Sequence, residues 1–121
     1  MRKFASAAVA CLFLLVPYLL RAESGLMGNW GATINIGSGW TKVVLEVTQE
    51  SNDGLSGTIK AKNSDGTSGE SNFIAKLEAG EYQMRFRNGS WYHLRPCADG
   101  LCGTFHWQKD GKDYPVTFVR S

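Results

Sequence analysis

From Gly28 onward the chain alternates apolar and polar residues in short runs, and Gly, Asn and Asp cut those runs every ~8–12 residues, the pattern of an all-β sandwich or barrel. No stretch repeats its apolar positions at 3.6 residues. Eight strands are expected, near residues 28–36, 40–49, 55–62, 70–77, 81–87, 90–97, 101–108 and 112–120. The turns fall at Ser51-Asn52-Asp53-Gly54, Ala79-Gly80, Arg87-Asn88-Gly89, Asp99-Gly100 and Asp110-Gly111, residue types that tolerate turn conformations. Asn63 to Gly69, rich in Gly, Ser and other polar residues, reads as a looser loop.

Each turn implies a register, and a one-residue slip would turn every side chain to the other face. A two-residue Asp110-Gly111 turn sets Trp107 opposite Tyr114, Phe105 opposite Val116 and Gly103 opposite Phe118. Asp99-Gly100 sets Leu94 opposite Phe105, Tyr92 opposite Trp107, and Cys97 opposite Cys102. Ala79-Gly80 pairs Leu77 with Tyr82, Ala75 with Met84 and Phe73 with Phe86, and a three-residue Asn52-Asp53-Gly54 loop pairs Val47 with Ile59. At the fifth hairpin a two-residue Asn88-Gly89 turn would bring Trp91, His93 and Arg95 to the apolar face and expel Tyr92 and Leu94. A three-residue Arg87-Asn88-Gly89 loop with Gly89 left-handed keeps the apolar faces together and is expected instead, since it buries more area at ~25 cal/mol per Å².

Eight consecutive antiparallel strands with short connections favour closure into one up-and-down barrel, which removes exposed edges. The expected interior is Trp30, Ala32, Ile34, Val43, Leu45, Val47, Leu55, Ile59, Phe73, Leu77, Tyr82, Met84, Phe86, Tyr92, Leu94, Phe105, Trp107, Tyr114, Val116 and Phe118. A barrel of this size holds its own side chains or one small ligand.

The front of the chain is different. Met1-Arg2-Lys3 is basic, Phe4 to Leu20 is largely apolar, and Ala22 is a small residue at a cleavage position, so residues 1–22 read as a secretory signal peptide and 23–27 as a short linker to a barrel domain at 28–121. An uncleaved anchor is the competing reading; the apolar run is at the short end of the ~17–25 residues that span a bilayer, and Pro17 interrupts it. After cleavage no membrane association is expected, and localisation would be periplasmic or secreted. Loss of Arg2, Lys3 and Arg21 leaves 10 basic against 11 acidic side chains, so the basicity of the whole chain belongs to its leader. A near-neutral domain has no footprint for phosphate backbones, and nucleic acid is excluded as a partner. Of three cysteines, Cys11 leaves with the leader; Cys97 and Cys102 are expected to form a disulfide in an oxidising compartment. A metal site would need further ligands near them.

Gly28-Asn29-Trp30, Gly54-Leu55-Ser56-Gly57-Thr58, Leu101-Cys102-Gly103-Thr104-Phe105 and Pro115-Val116-Thr117-Phe118-Val119-Arg120 together resemble a lipocalin-like or avidin-like barrel over most of residues 28–121. The avidin pattern places an aromatic residue where this chain has Ile59, and it spaces its Asn and Gly-Ser differently from Asn35-Ile36-Gly37-Ser38, so biotin binding is not implied. The resemblance implies a fold that holds a small ligand or another protein.

Candidate chemistry is sparse. No Gly-x-Ser-x-Gly elbow occurs, both mature cysteines are committed, and the carboxylate pairs Glu78/Glu81 and Asp110/Asp113 flank tight turns, so no enzymatic activity and no cofactor are expected. His93 and His106 are expected as direct cross-strand neighbours on the outer wall, too few ligands for zinc, and no metal site is expected. Two binding surfaces are candidates. A small ligand would sit at an open barrel end between Trp30, Tyr82, Trp107 and Tyr114. Alternatively Arg85, Trp91, His93, Arg95 and His106, beside the Cys97/Cys102 hairpin, form an outer wall of the residue types enriched in protein-binding hot spots, as in an inhibitor or host-interaction factor. Val44, Ile74 and Val119 also point outward, which suits a homodimer as well as a monomer.

Overall fold

A computed structural model describes residues 25–121; the expected leader at 1–22 lies outside the described residues, as do Glu23 and Ser24 of the linker. Eight antiparallel strands follow one another around a closed barrel: β1 (Gly28–Ile36), β2 (Gly39–Ser51), β3 (Gly54–Asn63), β4 (Ser68–Glu78), β5 (Glu81–Arg85), β6 (Trp91–Cys97), β7 (Gly100–Trp107) and β8 (Lys112–Arg120). The expected eight-stranded up-and-down barrel is the fold observed. β2 shows why: Thr41, Val43, Leu45 and Val47 are buried while Lys42, Val44, Glu46 and Thr48, each following one of them, are exposed, the period of two that a half-buried strand requires.

The chain closes where β1 meets β8 through Trp30 opposite Arg120 and Gly31 opposite Val119. The buried core comprises seventeen apolar residues, fifteen of them in the expected interior set; Ala75 and Leu101 are the additions. Ala32, Leu77, Phe86, Trp107 and Tyr114 pack against it half-buried. Val44, Ile74 and Val119 are exposed on the outer wall, with Gly31 between the two valines.

Several registers are displaced by two residues from expectation. The β6–β7 turn is Ala98-Asp99, with Gly100 already in β7 at φ 148°, so Tyr92 faces Phe105, Leu94 faces Gly103, and Cys97 faces Gly100. The β7–β8 connection spans Gln108 to Gly111, which sets Phe105 opposite Tyr114, Gly103 opposite Val116 and Leu101 opposite Phe118. At the second hairpin Ser51 faces Gly54 across a two-residue turn, a bulge lies between Val47 and Gln49, and Ile59 faces Leu45 instead of Val47. Cys97 and Cys102 are therefore diagonal, not opposite, with Cα atoms 5.9 Å apart, within disulfide reach, and they are bonded. In each hairpin the displacement is even, so the faces are kept.

The fourth and fifth hairpins follow expectation more closely. Leu77 faces Tyr82 and Ala75 faces Met84. The Arg87-Asn88-Gly89 loop has three residues with Gly89 at φ 93°, and it places Met84 opposite Tyr92 and Tyr82 opposite Leu94. β5, however, ends at Arg85. Phe86 donates its N–H to Ser90 and accepts from Gly89, which turns the chain into the hairpin before it can pair with Phe73 as expected.

Two consequences are measurable. Replacing Cys97 and Cys102 together by serine should cost about 2 kcal/mol in urea unfolding, the loop-closure contribution of so short a loop. Burial pushes the Tyr92 phenol up from its ordinary value of 10.0; burial and the Glu50 charge push Tyr82 up, and the hydrogen bond to Asp110 followed by burial pushes Tyr114 up. Each raised phenol contributes stability that is complete below its unfolded value and is lost as pH rises through its folded one. Urea midpoints should therefore fall above about pH 10, and Tyr92→Phe should flatten that fall.

Candidate functional site

Antiparallel order gives the barrel two distinct ends. One end carries the start of β1, the turns β2–β3, β4–β5 and β6–β7, and the C-terminus. The Trp30 indole lies there, donating its Nε1–H to the Leu26 carbonyl at 3.0 Å, with the Arg120 guanidinium 4.3 Å from its ring centroid. Arg120 in turn donates to the carbonyls of Met27 (2.6 Å) and Gly25, and the Leu26 N–H donates to Glu50 at 2.9 Å. A Cβ on Gly100 would clash with the Phe118 carbonyl oxygen and lie 2.8 Å from the Trp30 ring, so glycine is what lets both β8 and the indole approach β7. This end is plugged.

The opposite end holds a cavity of about 340 Å³. Ile36, Ile59, Ala61, Phe86, Tyr92, Phe105 and Trp107 supply its apolar lining; Thr41, Asn63, Ser71, Asn88 and Ser90 supply polar groups. Tyr92 stacks on Phe105 with centroids 4.7 Å apart and meets Phe86 edge-on at 5.9 Å, so three rings from β6, β7 and the fifth hairpin form one aromatic wall. Ser90 is fixed by its backbone: its N–H donates to Asn88 Oδ1 at 2.8 Å, and its hydroxyl accepts the Gln108 N–H at 3.1 Å.

Tyr92 is only 4% exposed, yet its hydroxyl has no hydrogen-bond partner among the described residues. No side-chain nitrogen or oxygen among those residues is both sealed from solvent and unpaired, so this hydroxyl keeps a trace of solvent contact, and the residue that carries it lines the cavity. A phenol left without a protein partner in an aromatic pocket is a group that a ligand or water must satisfy.

The four residues expected to share a ligand site are not brought together. Trp107 lines the cavity; Tyr114 is nearby in sequence height, its hydroxyl donating to Asp110 in the β7–β8 loop. Trp30 and Tyr82 belong to the plugged end. Strand direction alone separates them, since Trp30 and Tyr82 begin odd-numbered strands whereas Trp107 ends one. Residues that sequence reasoning did not assign to the site, Thr41, Gly69, Ser71 and Ser90, carry a readable mark: each has the inward parity of its strand or hairpin, yet is small or polar, and all four fall at the same barrel end.

The outer-wall residues do gather. Arg85 faces Trp91, which faces His106, and His93 faces Thr104. His93 and His106 are thus diagonal, a correction to their expected direct opposition that follows from the two-residue displacement of β7. The Trp91 ring stacks with His93 at 4.2 Å and with His106 at 5.0 Å. Their Nδ1 atoms meet carboxylates, His93 with Glu81 at 3.4 Å and His106 with Asp113 at 2.6 Å, and Arg95 joins Glu81 at 3.2 Å. No cluster of three or more metal-ligating side chains occurs among the described residues, and no helix among them is long and apolar enough to cross a membrane.

No family model matches the chain, and no curated protein matches it. Its structure is similar to that of a de novo designed fluorescence-activating beta barrel, with a TM-score of 0.61 and 18% identity over 78% of this chain and 93% of that one. At that identity the likeness concerns the fold, in keeping with the small-barrel resemblance seen in the sequence.

The cavity makes a stability test of its own. Ser90→Ala removes the acceptor of the Gln108 N–H and should lower stability by about 1 kcal/mol in urea titration. It should leave the Tyr92 ring environment, read by near-ultraviolet circular dichroism, unchanged.

Proposed function

We propose that the protein is an exported, non-enzymatic binding protein that holds a small, largely apolar ligand in the open end of its barrel. The observation that carries this reading is the 340 Å³ cavity at the open barrel end, walled by the rings of Tyr92, Phe105 and Phe86. Its volume is at the low end of the ~300–1,000 Å³ of ligand pockets, so the guest is a compact molecule and not a long acyl chain. Its inward side chains carry no charge; Glu70, which also borders it, occupies an outward register position opposite Lys60. Burying an unpaired charge there would be costly, which favours a neutral guest.

Absence of activity is supported by the lining, which holds no histidine or cysteine and no pair of facing carboxylates. Export is supported by the leader pattern at 1–22 and by the Cys97–Cys102 disulfide, a bond that persists in oxidising compartments.

Native mass spectrometry of the protein taken from its export compartment should show leader cleavage and a stoichiometric small added mass. In titration with para-nitrotoluene, an apolar quencher, indole emission should fall, and Trp107→Phe should remove most of the change. A Cβ at Gly69 meets nothing within 4 Å and the residue lines the cavity, so Gly69→Leu should fill it, abolishing quenching while leaving the melting temperature within a few degrees. Quenching that survives Gly69→Leu would place the guest elsewhere and overturn the reading.

A further inference from the structure

The cavity has an opening in its side as well as at its end. β4 pairs with β3 along nearly its whole length, from Gly54 opposite Lys76 to Lys62 opposite Ser68. On its other side β4 pairs with β5 only from Ala75 to Glu78. Ser68 to Ile74 therefore form a strand edge without a ladder partner, facing the fifth hairpin. The cavity lining shows the same thing independently: Ser68, Gly69, Glu70 and Ser71 all border it. Four consecutive residues of alternating parity border one space, as they do where a strand presents its edge at a barrel rim.

The direction of the main-chain groups along that edge follows from the ladder. Leu77 donates its N–H to Asp53 on the β3 side at 2.8 Å, and in an antiparallel ladder alternate residues turn the same way. Odd-numbered residues of β4 are thus bonded to β3, and even-numbered ones point toward the gap. Glu70 and Asn72 present their N–H and C=O groups there, and no side-chain hydrogen bond among the described residues reaches them. Ser71 between them and Gly69 before them have the inward parity of the strand and line the cavity.

Such an edge is a template for an added strand, with main-chain bonds supplying affinity and a pocket for alternate side chains supplying selectivity. We propose that the ligand of this site is a short extended peptide that pairs with β4 at Glu70 and Asn72 and inserts one large apolar side chain, from the residue opposite Ser71, against Tyr92, Phe105 and Phe86. This rests on the binding reading above and narrows its guest to one class. Charge disfavours a second copy as the occupant: two β4 edges related by a two-fold axis near the centre of the gap bring their Glu70 carboxylates toward each other on the outer face, where the peptide need bring none. The peptide's outward positions lie beside Glu70 on the β4 side, so residues without an acidic side chain suit them.

Acetyl-Ser-Phe-Ser-amide is the probe, read by indole emission and by hydrogen exchange at individual amides. Binding should slow exchange at Glu70 and Asn72. N-methylation of either serine, whose N–H faces β4, should weaken binding about tenfold, a contribution of ~1.4 kcal/mol, whereas N-methylation of the phenylalanine, whose N–H points away, should be tolerated. Asn72→Pro removes the edge donor without touching a β3 bond, and proline is accommodated at strand edges. That variant should lose the peptide and still bind para-nitrotoluene. If para-nitrotoluene binds but the peptide does not, or if all three N-methylated peptides bind alike, the peptide inference falls and the apolar-guest reading stands. If neither probe binds and the native mass is that of the bare chain, both fall. A dimer abolished by Asn72→Pro would assign the edge to a second copy and overturn the inference.

Discussion

Five residues of β5 set against eleven of β4 decide how far this barrel can close. A cylinder of antiparallel strands satisfies its main chain only where both neighbours reach the same height, and unpaired main-chain groups must then find water or another partner. β5 stops at Arg85 because the three-residue loop at Arg87–Gly89 draws Phe86 into bonds with Ser90 and Gly89. What lies above that height on β4 is an edge, and what lies behind the edge is the cavity. The pocket and the gap in its wall are therefore one feature, produced by one short strand.

The plugged end shows the contrasting solution. There the residues ahead of β1 are drawn across the barrel mouth by Arg120, whose guanidinium covers Trp30 and bonds the Met27 and Gly25 carbonyls, while Glu50 holds the Leu26 N–H. A charged side chain that spends its donors on main-chain carbonyls satisfies groups that would otherwise face solvent around an exposed indole. The disulfide ties the β6–β7 hairpin at this same end. The Arg120 and Glu50 ties and the disulfide thus gather at the end opposite the cavity.

How much was legible in the sequence depends on which coordinate is asked about. Parity was legible, because alternation such as Val43-Val44-Leu45-Glu46-Val47 fixes which side chains face inward whatever the turn. Height was not. Gly100 marks its turn from just beyond it, at φ 148°, and Gly111 ends a four-residue connection, so reading each as the second turn residue displaced two registers by two. Two residues are about 6.6 Å along a strand, enough to exchange one ring for the next in a wall while leaving the list of buried residues almost unchanged. The core survived this error, whereas the facing of His93 and His106, and of the two cysteines, did not.

The expected grouping of Trp30, Tyr82, Trp107 and Tyr114 at one end is not found for another reason: residue type carries no information on strand direction. Trp30 and Trp107 are chemically alike but lie on β1 and β7 near opposite ends, one covered by Arg120 and the other beside the cavity. Large aromatics mark the core of a small barrel as readily as a pocket, since both bury apolar area. What distinguishes a pocket is the opposite feature, an inward position given to a residue too small or too polar to fill it. Thr41, Gly69, Ser71 and Ser90 meet that description at one end, and Tyr92 lines the cavity with them. The sequence marks its cavity by the inward positions it leaves unfilled.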